Sequence, residues 1–298
     1  MKAILKCYYG YKNFGDELLF FWVLEYLFSH LAISHIAVES WNKARLDERI
    51  KRNSAYLPVW KKVSTYSKSK FSFSFSPALK IFWWWEVLTD ERPFIQDGRG
   101  YFFKYFWDIM FGNFVLLGGI GKPRFFRSRL LYKLMLPRAK QIIVREKDSF
   151  KIAKKYSKKV TLHRDFAYDL IEKYQETHKE TISLPNLLIN LHPKINKPES
   201  YRKIDHFIKK NSNKELRYVW MSPQDLPMYD KLLEIYPEMK LRNWTSRTLD
   251  ETLDFFQSAS CGIWARLHFL LTLKAFNVPH EAIVYEEKIM KLIVNEKK

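Results

Sequence analysis

Cysteine is scarce in this sequence. The 298 residues contain only Cys7 and Cys261, which lie far apart along the chain. Two such distant cysteines do not form a metal-ligand pattern, and their small number suits a reduced, cytosolic setting. We therefore expect no metal site.

Long uncharged apolar runs are also missing. A transmembrane helix needs about 18 or more such residues, and the nearest approach, Tyr101 to Ile120, is interrupted by Lys104 and Asp108. The apolar run at the start, Met1 to Leu5, is too short for a signal peptide. We expect a cytoplasmic protein without a membrane-spanning helix.

Acidic residues are few relative to basic ones. The sequence has 51 Lys and Arg against 32 Asp and Glu, a net charge of +19. Such an excess indicates an anionic partner, and the candidates are nucleic acid, anionic lipid and phosphorylated small molecules. No recognised RNA- or DNA-binding motif is present, so nucleic acid is not favoured. The alternatives are a basic face that is merely solvated and a non-catalytic basic binding protein.

The basic excess is concentrated between Lys122 and Arg164, where fifteen Lys or Arg accompany two acidic residues. Within it, the segment Phe125 to Met135 predicts a helix with a cationic flank beside an apolar stripe. The cations are Arg124, Arg127, Arg129 and Lys133, and the apolar residues are Phe125, Phe126, Leu130, Leu131 and Leu134. This pattern is typical of a helix that binds the surface of an anionic membrane. The alternative is that the stripe packs on the protein's own sheet and only the charges face water.

The hydrophobic content of 47% rules against a disordered chain. Strand-like and helix-like segments alternate on both sides of a polar stretch, Lys173 to Pro185, which we interpret as an interdomain linker. The alternation predicts an α/β fold with two doubly wound, Rossmann-like domains facing a cleft. The expected domains are residues 1–175 and 185–298, with the C-terminal segment packing back on the first of them.

Several predicted strands end in glycine or polar residues, where open parallel sheets bind their ligands. The first strand is followed by a glycine-bracketed loop, Gly10 to Gly15, and Asp16 is the expected N-cap of the next helix. A second strand runs into a glycine-rich turn, Gly118 to Gly121, and a third ends on Arg145. These are candidate sites for phosphate or carboxylate groups.

Arg266 and His268 lie where a predicted strand, ending near Trp264, passes into an apolar helix. An arginine offers a planar fork to a carboxylate or phosphate, and a histidine can move a proton near neutral pH. The strand-to-helix position adds backbone N–H groups that favour an anion. The alternative is that Arg266 pairs with a structural carboxylate and His268 is a core histidine.

Taken in order, these motifs resemble those of the polysaccharide pyruvyl transferases. The matching segments are Tyr8 to Glu17, Gly118 to Gly121, Val144 to Ser149, Asp165 to Ala167, Arg266 to His268, Val278-Pro279 and Tyr285 to Lys288. Each motif alone is weakly specific, but together they cover nearly the whole chain in the family's order.

The resemblance implies a fold similar to the GT-B glycosyltransferases and an enzyme that uses phosphoenolpyruvate as its donor substrate. A pyruvyl group is transferred to two hydroxyls of a sugar in a cell-envelope or exopolysaccharide glycan, which gives a cyclic ketal and releases phosphate. Neither a metal nor a nucleotide cofactor is implied, and the glycan acceptor is either free or lipid-linked. The family's donor-binding arginines, its Arg-Leu-His triplet and its loop aspartate carry over to Arg145, Arg266, Leu267, His268 and Asp16.

This chemistry agrees with the residues. Phosphoenolpyruvate has a carboxylate and a phosphate, so two or three cations must converge on it, and Arg145, Arg266 and Lys288 are the candidates. His268 is assigned as the acid and Asp16, across the cleft, as the base, although the roles could be reversed and Asp16 could only cap its helix. The further substrate-binding candidates are Leu267, Gly10, Asn13, Gly15, Gly118 and Gly119.

Two other functions are compatible with the same motifs. A GT-B glycosyltransferase would bind a nucleotide-sugar, with Arg266 on the diphosphate. A pyruvyl transferase relative that has lost its activity would keep the fold without the chemistry. Product analysis separates the glycosyltransferase from a pyruvyl transferase, because the former releases a nucleotide and the latter releases phosphate from phosphoenolpyruvate.

Overall fold

The computed structural model describes residues 1–6, 12–40, 42–54, 62–67, 78–88, 113–123, 125–178, 184–195 and 197–283, and only the backbone at 83–88, 127 and 128. Contacts divide the chain into two compact units. The first unit comprises Met1–Gly10 with Val23–Phe166, and the second comprises Tyr11–Trp22 with Ala167–Lys298. Each unit contains one parallel sheet with alternating helices, which confirms the predicted α/β class.

The sheet of the first unit has the strand order β3-β2-β1-β4-β5-β6-β7, and every described pairing in it is parallel. Its strands are β1 Lys2–Lys6, β2 His35–Ser40, β3 Val63–Ser67, β4 Leu79–Leu88, β5 Phe114–Ile120, β6 Gln141–Val144 and β7 Val160–Leu162. The helices before the division are α1 Phe14–His30, α2 Lys43–Arg52, α3 Phe126–Met135 and α4 Lys147–Lys154. The division falls within α1, whose first residues belong to the second unit.

Strand β5 is buried along its whole length, as expected for a strand covered on both faces of a parallel sheet. Leu116 of β5 and Ile142 of β6 pack in one core cluster with Tyr132 and Met135 of α3. One face of α3 is therefore fixed to the sheet of the first unit.

The sheet of the second unit has the order β10-β9-β8-β11-β12 and is also parallel. Its strands are β8 Leu184–Asn190, β9 Glu215–Trp220, β10 Lys240–Asn243, β11 Ala259–Trp264 and β12 His280–Ala282. The helices are α5 Phe166–Thr177, α6 Pro198–Lys210, α7 Leu226–Ile235, α8 Leu249–Gln257 and α9 Leu267–Ala275. The chain runs outward from β8 through β10 and returns to β11, so the strand order reverses between β8 and β11.

The expected start of α1 needs a correction. The helix begins at Phe14, so Asp16 lies inside its first turn and is not the N-cap. Asn13 fills that role, because its Oδ1 accepts a hydrogen bond from Gly15 N at 3.1 Å, and its carbonyl accepts from Glu17 N at 3.2 Å. The predicted N-cap position of Asp16 is therefore wrong.

The expected glycine turn at Gly118 to Gly121 is also placed differently. Gly118 and Gly119 lie within β5, which continues to Ile120. Gly118 pairs with Trp84 of the neighbouring strand and has a φ of 126°, a backbone conformation that favours glycine. Gly118 is therefore suited to the backbone conformation of the strand and does not form the expected turn.

The interpretation of Lys173 to Pro185 as a linker was wrong at both ends, since α5 continues to Thr177 and β8 begins at Leu184. The helix is held by buried residues at helical spacing, Leu170, Ile171 and Tyr174, and the Tyr174 hydroxyl donates to Asp254. The division between the two units also differs from the predicted domain boundaries. It falls at residues 166–167, before the predicted end of the first domain at residue 175, and it assigns residues 11–22 to the second unit. The segment 284–298, with its predictions, lies outside the described residues.

Helix α8 begins with the capping box that its sequence predicts. Thr248 Oγ1 accepts from Glu251 N at 3.1 Å, and Glu251 Oε2 accepts from Thr248 N at 2.8 Å. We expect Thr248→Ala to lower the free energy of unfolding by about 1 kcal/mol, because a backbone N–H of the first turn loses its acceptor. Urea denaturation would measure the loss, with the exposed Ser212→Ala as the control. Equal effects of the two substitutions would contradict the assignment.

Candidate functional site

The best candidate for a binding site lies at the carboxyl ends of β8, β9 and β11 in the second unit. Open α/β sheets bind their ligands where the strand order reverses, outside the carboxyl ends of the strands. The reversal here is between β8 and β11, which end at Asn190 and Trp264, paired in register. The residues that follow these strands are therefore the ones to inspect.

Asp225 is the buried centre of this region. It ends the turn Ser222–Asp225 that follows β9 and has no exposed surface. Its Oδ2 accepts from the backbone N–H groups of Met221 and Ser222 and from Nδ2 of Asn190, each at 3.1 Å. Three donors from two neighbouring strand ends therefore fix one oxygen of the carboxylate.

Arg266 contacts the other carboxylate oxygen of Asp225. Its Nε donates to Asp225 Oδ1 at 2.7 Å, its Nη2 lies 2.5 Å from the same atom, and Nη2 also approaches Gln224 Oε1 at 3.4 Å. The side chain is 17% exposed, and Nη1 forms no hydrogen bond with any residue that the structure describes. One edge of the guanidinium is thus held by the protein, while the other edge can donate to a ligand.

Burial raises the pKa of the Asp225 carboxyl, and the adjacent Arg266 opposes that shift. The same burial raises the pKa of Tyr218 well above its ordinary value, with Asp225 adding to the effect. The Tyr218 hydroxyl remains a donor and bonds to the carbonyls of Leu191 and Asp225. Arg266 is therefore the cation that opposes the effect of burial on this carboxylate.

The sequence interpretation missed Asp225, although it allowed that Arg266 could pair with a structural carboxylate. That pairing is present. A signal for the aspartate was available, because Ser222-Pro223-Gln224-Asp225 follows an apolar strand and has the spacing of a capping box.

The opening loop packs against the same strand ends. Phe14 N donates to Met221 O at 2.9 Å, and the Phe14 ring stacks on Phe256 with 5.6 Å between centroids. Lys12 Nζ lies 5.6 Å from the centre of the Trp220 ring, a cation–π contact. The first turn of α1 therefore belongs physically to the second sheet, although it follows the first strand in sequence.

His268 lies in the first turn of α9 and is 5% exposed. Its ring packs directly on the backbone of Gly15, where a Cβ atom would lie 1.9 Å from His268 Nδ1. No other amino acid has room at this position, so Gly15 is a glycine because of the histidine rather than because of a turn. The expectation that the glycine loop lies across a cleft from His268 was wrong.

Two more predicted residues accompany this contact. Asp16 directly follows Gly15 and is half-buried, and Leu267 is the partly buried first residue of α9. The second unit therefore brings together Asn13, Gly15, Asp16, Arg266, Leu267 and His268.

Arg145 belongs to the first unit, directly after β6. Its side chain is 6% exposed, and its Nη1 donates to Asp165 Oδ2 at 3.0 Å while Nη2 lies 3.5 Å from Glu146 Oε1. The predicted strand-end position is confirmed, and two carboxylates contact the guanidinium. Gly118 and Gly119 lie in the same unit, whereas Gly10 and Lys288 are outside the described residues.

The sequence model of the family described as "Polysaccharide pyruvyl transferase" matches residues 13–286 of the 298. The chain belongs to the polysaccharide pyruvyl transferase family. The match includes the opening loop from Asn13 and the Arg266–His268 segment, the two parts of the sequence that meet in the second unit.

No curated protein sequence matches this pyruvyl transferase family member significantly. Its fold is nevertheless shared with solved structures. The UDP complex of MnaA from S. aureus has a TM-score of 0.57 at 11% identity, over 99% of this chain and 88% of that one. The UDP-GlcNAc 2-epimerase from Methanocaldococcus jannaschii has a TM-score of 0.55 at 11% identity, over 99% and 92%.

A putative UDP-N-acetylglucosamine 2-epimerase from Listeria monocytogenes gives the same result, with a TM-score of 0.57 at 8% identity over 100% of this chain and 89% of that one. At such identities the likeness concerns the fold alone. It confirms that this member of the pyruvyl transferase family has a GT-B-like α/β fold.

Proposed function

We propose that the protein transfers a pyruvyl group from phosphoenolpyruvate to a sugar of a cell-envelope or exopolysaccharide glycan, and forms a ketal. Membership of a transferase family that modifies polysaccharides supports the reaction class. The observation that carries the donor assignment is Arg266, anchored on Asp225 along one edge and close in sequence to His268.

In this proposal the free edge of Arg266 binds an anionic group of the donor. Asp225 neutralises much of the charge of Arg266, so its main contribution is a fixed direction for the Nη1 donor. A dianionic phosphate with a carboxylate needs further cations. Arg145 and Lys288 stay the predicted ones.

The proposed reaction joins both sugar hydroxyl oxygens to C2 of phosphoenolpyruvate. Protonation of the C3 methylene makes it a methyl group and renders C2 electrophilic, the first hydroxyl adds there, and the C2–O bond to phosphate breaks. The second hydroxyl then adds to the same carbon. Of the two hydroxyl protons, one balances the proton given to C3 and the other leaves with phosphate, so no redox step and no cofactor are needed.

His268 is proposed as the acid and Asp16 as the base. The ring of His268 is positioned by Gly15, and Asp16 is the next residue of α1, so one local contact sets the place of both groups. A proton donor that is held in place, rather than mobile, contributes most when its proton acceptor arrives in a fixed position.

The test is release of inorganic phosphate from phosphoenolpyruvate in the presence of a panel of free and lipid-linked glycans. We expect release that depends on the acceptor, and His268→Gln should lower kcat by about 10² to 10⁴, the usual contribution of general acid–base catalysis. Lys158→Ala, at an exposed position of the first unit, is the control and should leave the rate unchanged. Release of a nucleotide from a nucleotide-sugar, without phosphate from phosphoenolpyruvate, would instead establish a GT-B glycosyltransferase.

The proposal also covers where the enzyme works. Lipid-linked glycans are assembled at a membrane, so an acceptor of that kind would place this enzyme on the cytoplasmic face, whose lipids are anionic.

If neither phosphate nor nucleotide is released with any acceptor, the chain is a non-catalytic member of its family.

A further inference from the structure

Helix α3 exposes large apolar side chains on the face turned away from its own sheet. Phe126 is 78% exposed and Leu130 is 46% exposed, while Tyr132 and Met135 on the opposite face are buried in the core of the first unit. Phe125, directly before the helix, is 64% exposed. Packing on the sheet therefore accounts for one face of the helix, including the half-buried Leu131, and leaves Phe126 and Leu130 exposed.

The helical repeat places cations alongside the stripe. Phe126 and Leu130 are four residues apart and lie one above the other, and Arg129 and Lys133 form a second row beside them. Both cations are exposed. The outer face of α3 thus consists of an apolar row and a cationic row, which we call the α3 face.

The sequence around α3 is also basic. The sequence from Lys122 to Arg164 contains fifteen Lys or Arg against two acidic residues, more than its share of the net charge of +19. Among the described helices, none is long and apolar enough to cross a bilayer. A short helix with aromatic and leucine side chains beside cations is instead suited to lie in the headgroup region.

We propose that the α3 face binds the surface of an anionic lipid bilayer, with Phe126 and Leu130 inserted and Arg129 and Lys133 on lipid phosphates. Charge complementarity favours lipid over a second copy of the chain. A symmetric dimer through this face would bring the cations of both copies together. An anionic bilayer suits both rows, because its phosphates attract the cations and its interior takes up the apolar side chains.

Vesicle flotation at low salt tests the inference on the full chain, with phosphatidylcholine alone and with phosphatidylcholine and phosphatidylglycerol at 7:3. Neither donor nor acceptor is present, so the result is independent of the proposed reaction, whose own test is phosphate release. We expect binding to the mixed vesicles only, reduced at least tenfold by Arg129→Glu/Lys133→Glu and by Phe126→Ser/Leu130→Ser.

Two matched controls isolate the α3 face. Lys151→Glu/Lys158→Glu makes the same change in net charge at exposed positions of the same unit, and Ile235→Ser/Leu241→Ser removes exposed apolar groups of the second unit. Each control should change binding less than twofold.

Three results would overturn the inference. Equal binding to both vesicle types would show that anionic lipid is not required. An equal loss of binding in Lys151→Glu/Lys158→Glu would show that diffuse positive charge, and not the α3 face, is responsible. A dimer in sedimentation velocity that dissociates in Phe126→Ser/Leu130→Ser would make the α3 face an interface between copies.

Discussion

Arg266→Met is expected to lower the free energy of unfolding at pH 7 by about 3–5 kcal/mol, the usual cost of removing one partner of a buried ion pair. The methionine keeps much of the apolar stem of the arginine. What is lost is the cation that contacts Oδ1 of Asp225, a carboxylate with no exposed surface. Its other oxygen would still accept three hydrogen bonds, but the charge would be uncompensated.

The pH dependence of this loss distinguishes it from a simple packing defect. Without Arg266, the hydrogen bonds from Asn190 and Met221 still lower the pKa of Asp225, but the opposing cation is gone, so the folded-state pKa rises further above the value of about 3.9 in an unfolded chain. Between these two pKa values the folded variant binds a proton that the unfolded chain does not, so its stability falls as pH rises and recovers as pH falls. The deficit relative to the wild type should therefore be smaller at pH 5 than at pH 7.

Urea unfolding at pH 5, 6 and 7 measures both effects. Arg202→Met, at an exposed position on α6 of the same unit, is the matched control and should cost less than about 0.5 kcal/mol at every pH. A deficit below 1 kcal/mol in Arg266→Met that does not vary with pH would contradict the assigned role of the pair.

The two sheets could be predicted from the sequence because their central strands are buried on both faces. Such strands are short apolar runs, as in Phe114 to Leu117 and Leu187 to Leu191, and they stand out from the polar segments around them. Two of the strands that escaped detection are less apolar, whereas Leu79–Leu88, which lies between β1 and β5, was missed although it is apolar. Val63–Ser67 and Lys240–Asn243 lie at the edges of their sheets, where burial on both faces is not required, and their sequences do not differ from those of loops.

The candidate site was predictable only where its residues are neighbours in sequence. Arg266 and His268 stand one residue apart after an apolar strand, so their type and spacing identify them. Asp225 was not identified as their partner, because the ion pair is created by the parallel placement of β8, β9 and β11 and not by any local pattern. The contact of Gly15 with His268 is hidden for the same reason, since it joins opposite ends of the chain.

That contact makes Gly15→Ala a severe substitution. A Cβ atom 1.9 Å from His268 Nδ1 cannot be accommodated, so the imidazole or the backbone of the opening loop must move. Forcing extra atoms into a packed site typically costs about 1–3 kcal/mol. The displaced group is the proposed proton donor, so we also expect kcat for phosphate release to fall by about 10² or more.

A double-mutant cycle between Gly15→Ala and His268→Ala tests the contact itself. Gly15 lies in the first turn of α1, where alanine is a better helix former than glycine by up to about 1 kcal/mol. His268→Ala removes the three atoms nearest to the new methyl group, so Gly15→Ala should become neutral or stabilising. The sign of its effect on the free energy of unfolding should therefore reverse between the two backgrounds, with a coupling energy within the range of about 0.5–3 kcal/mol found for residues in contact.

Activity separates the structural part of this prediction from the chemical part. The double variant should recover the stability lost in Gly15→Ala, yet it should remain as slow as His268→Ala, because the proposed proton donor is absent in both. If Gly15→Ala destabilises the protein equally in both backgrounds, the loop does not rest on the histidine ring. If the stability recovers and the double variant also regains transfer, the loop rests on the ring but His268 is not the proton donor, and its place in the first turn of α9 is then structural.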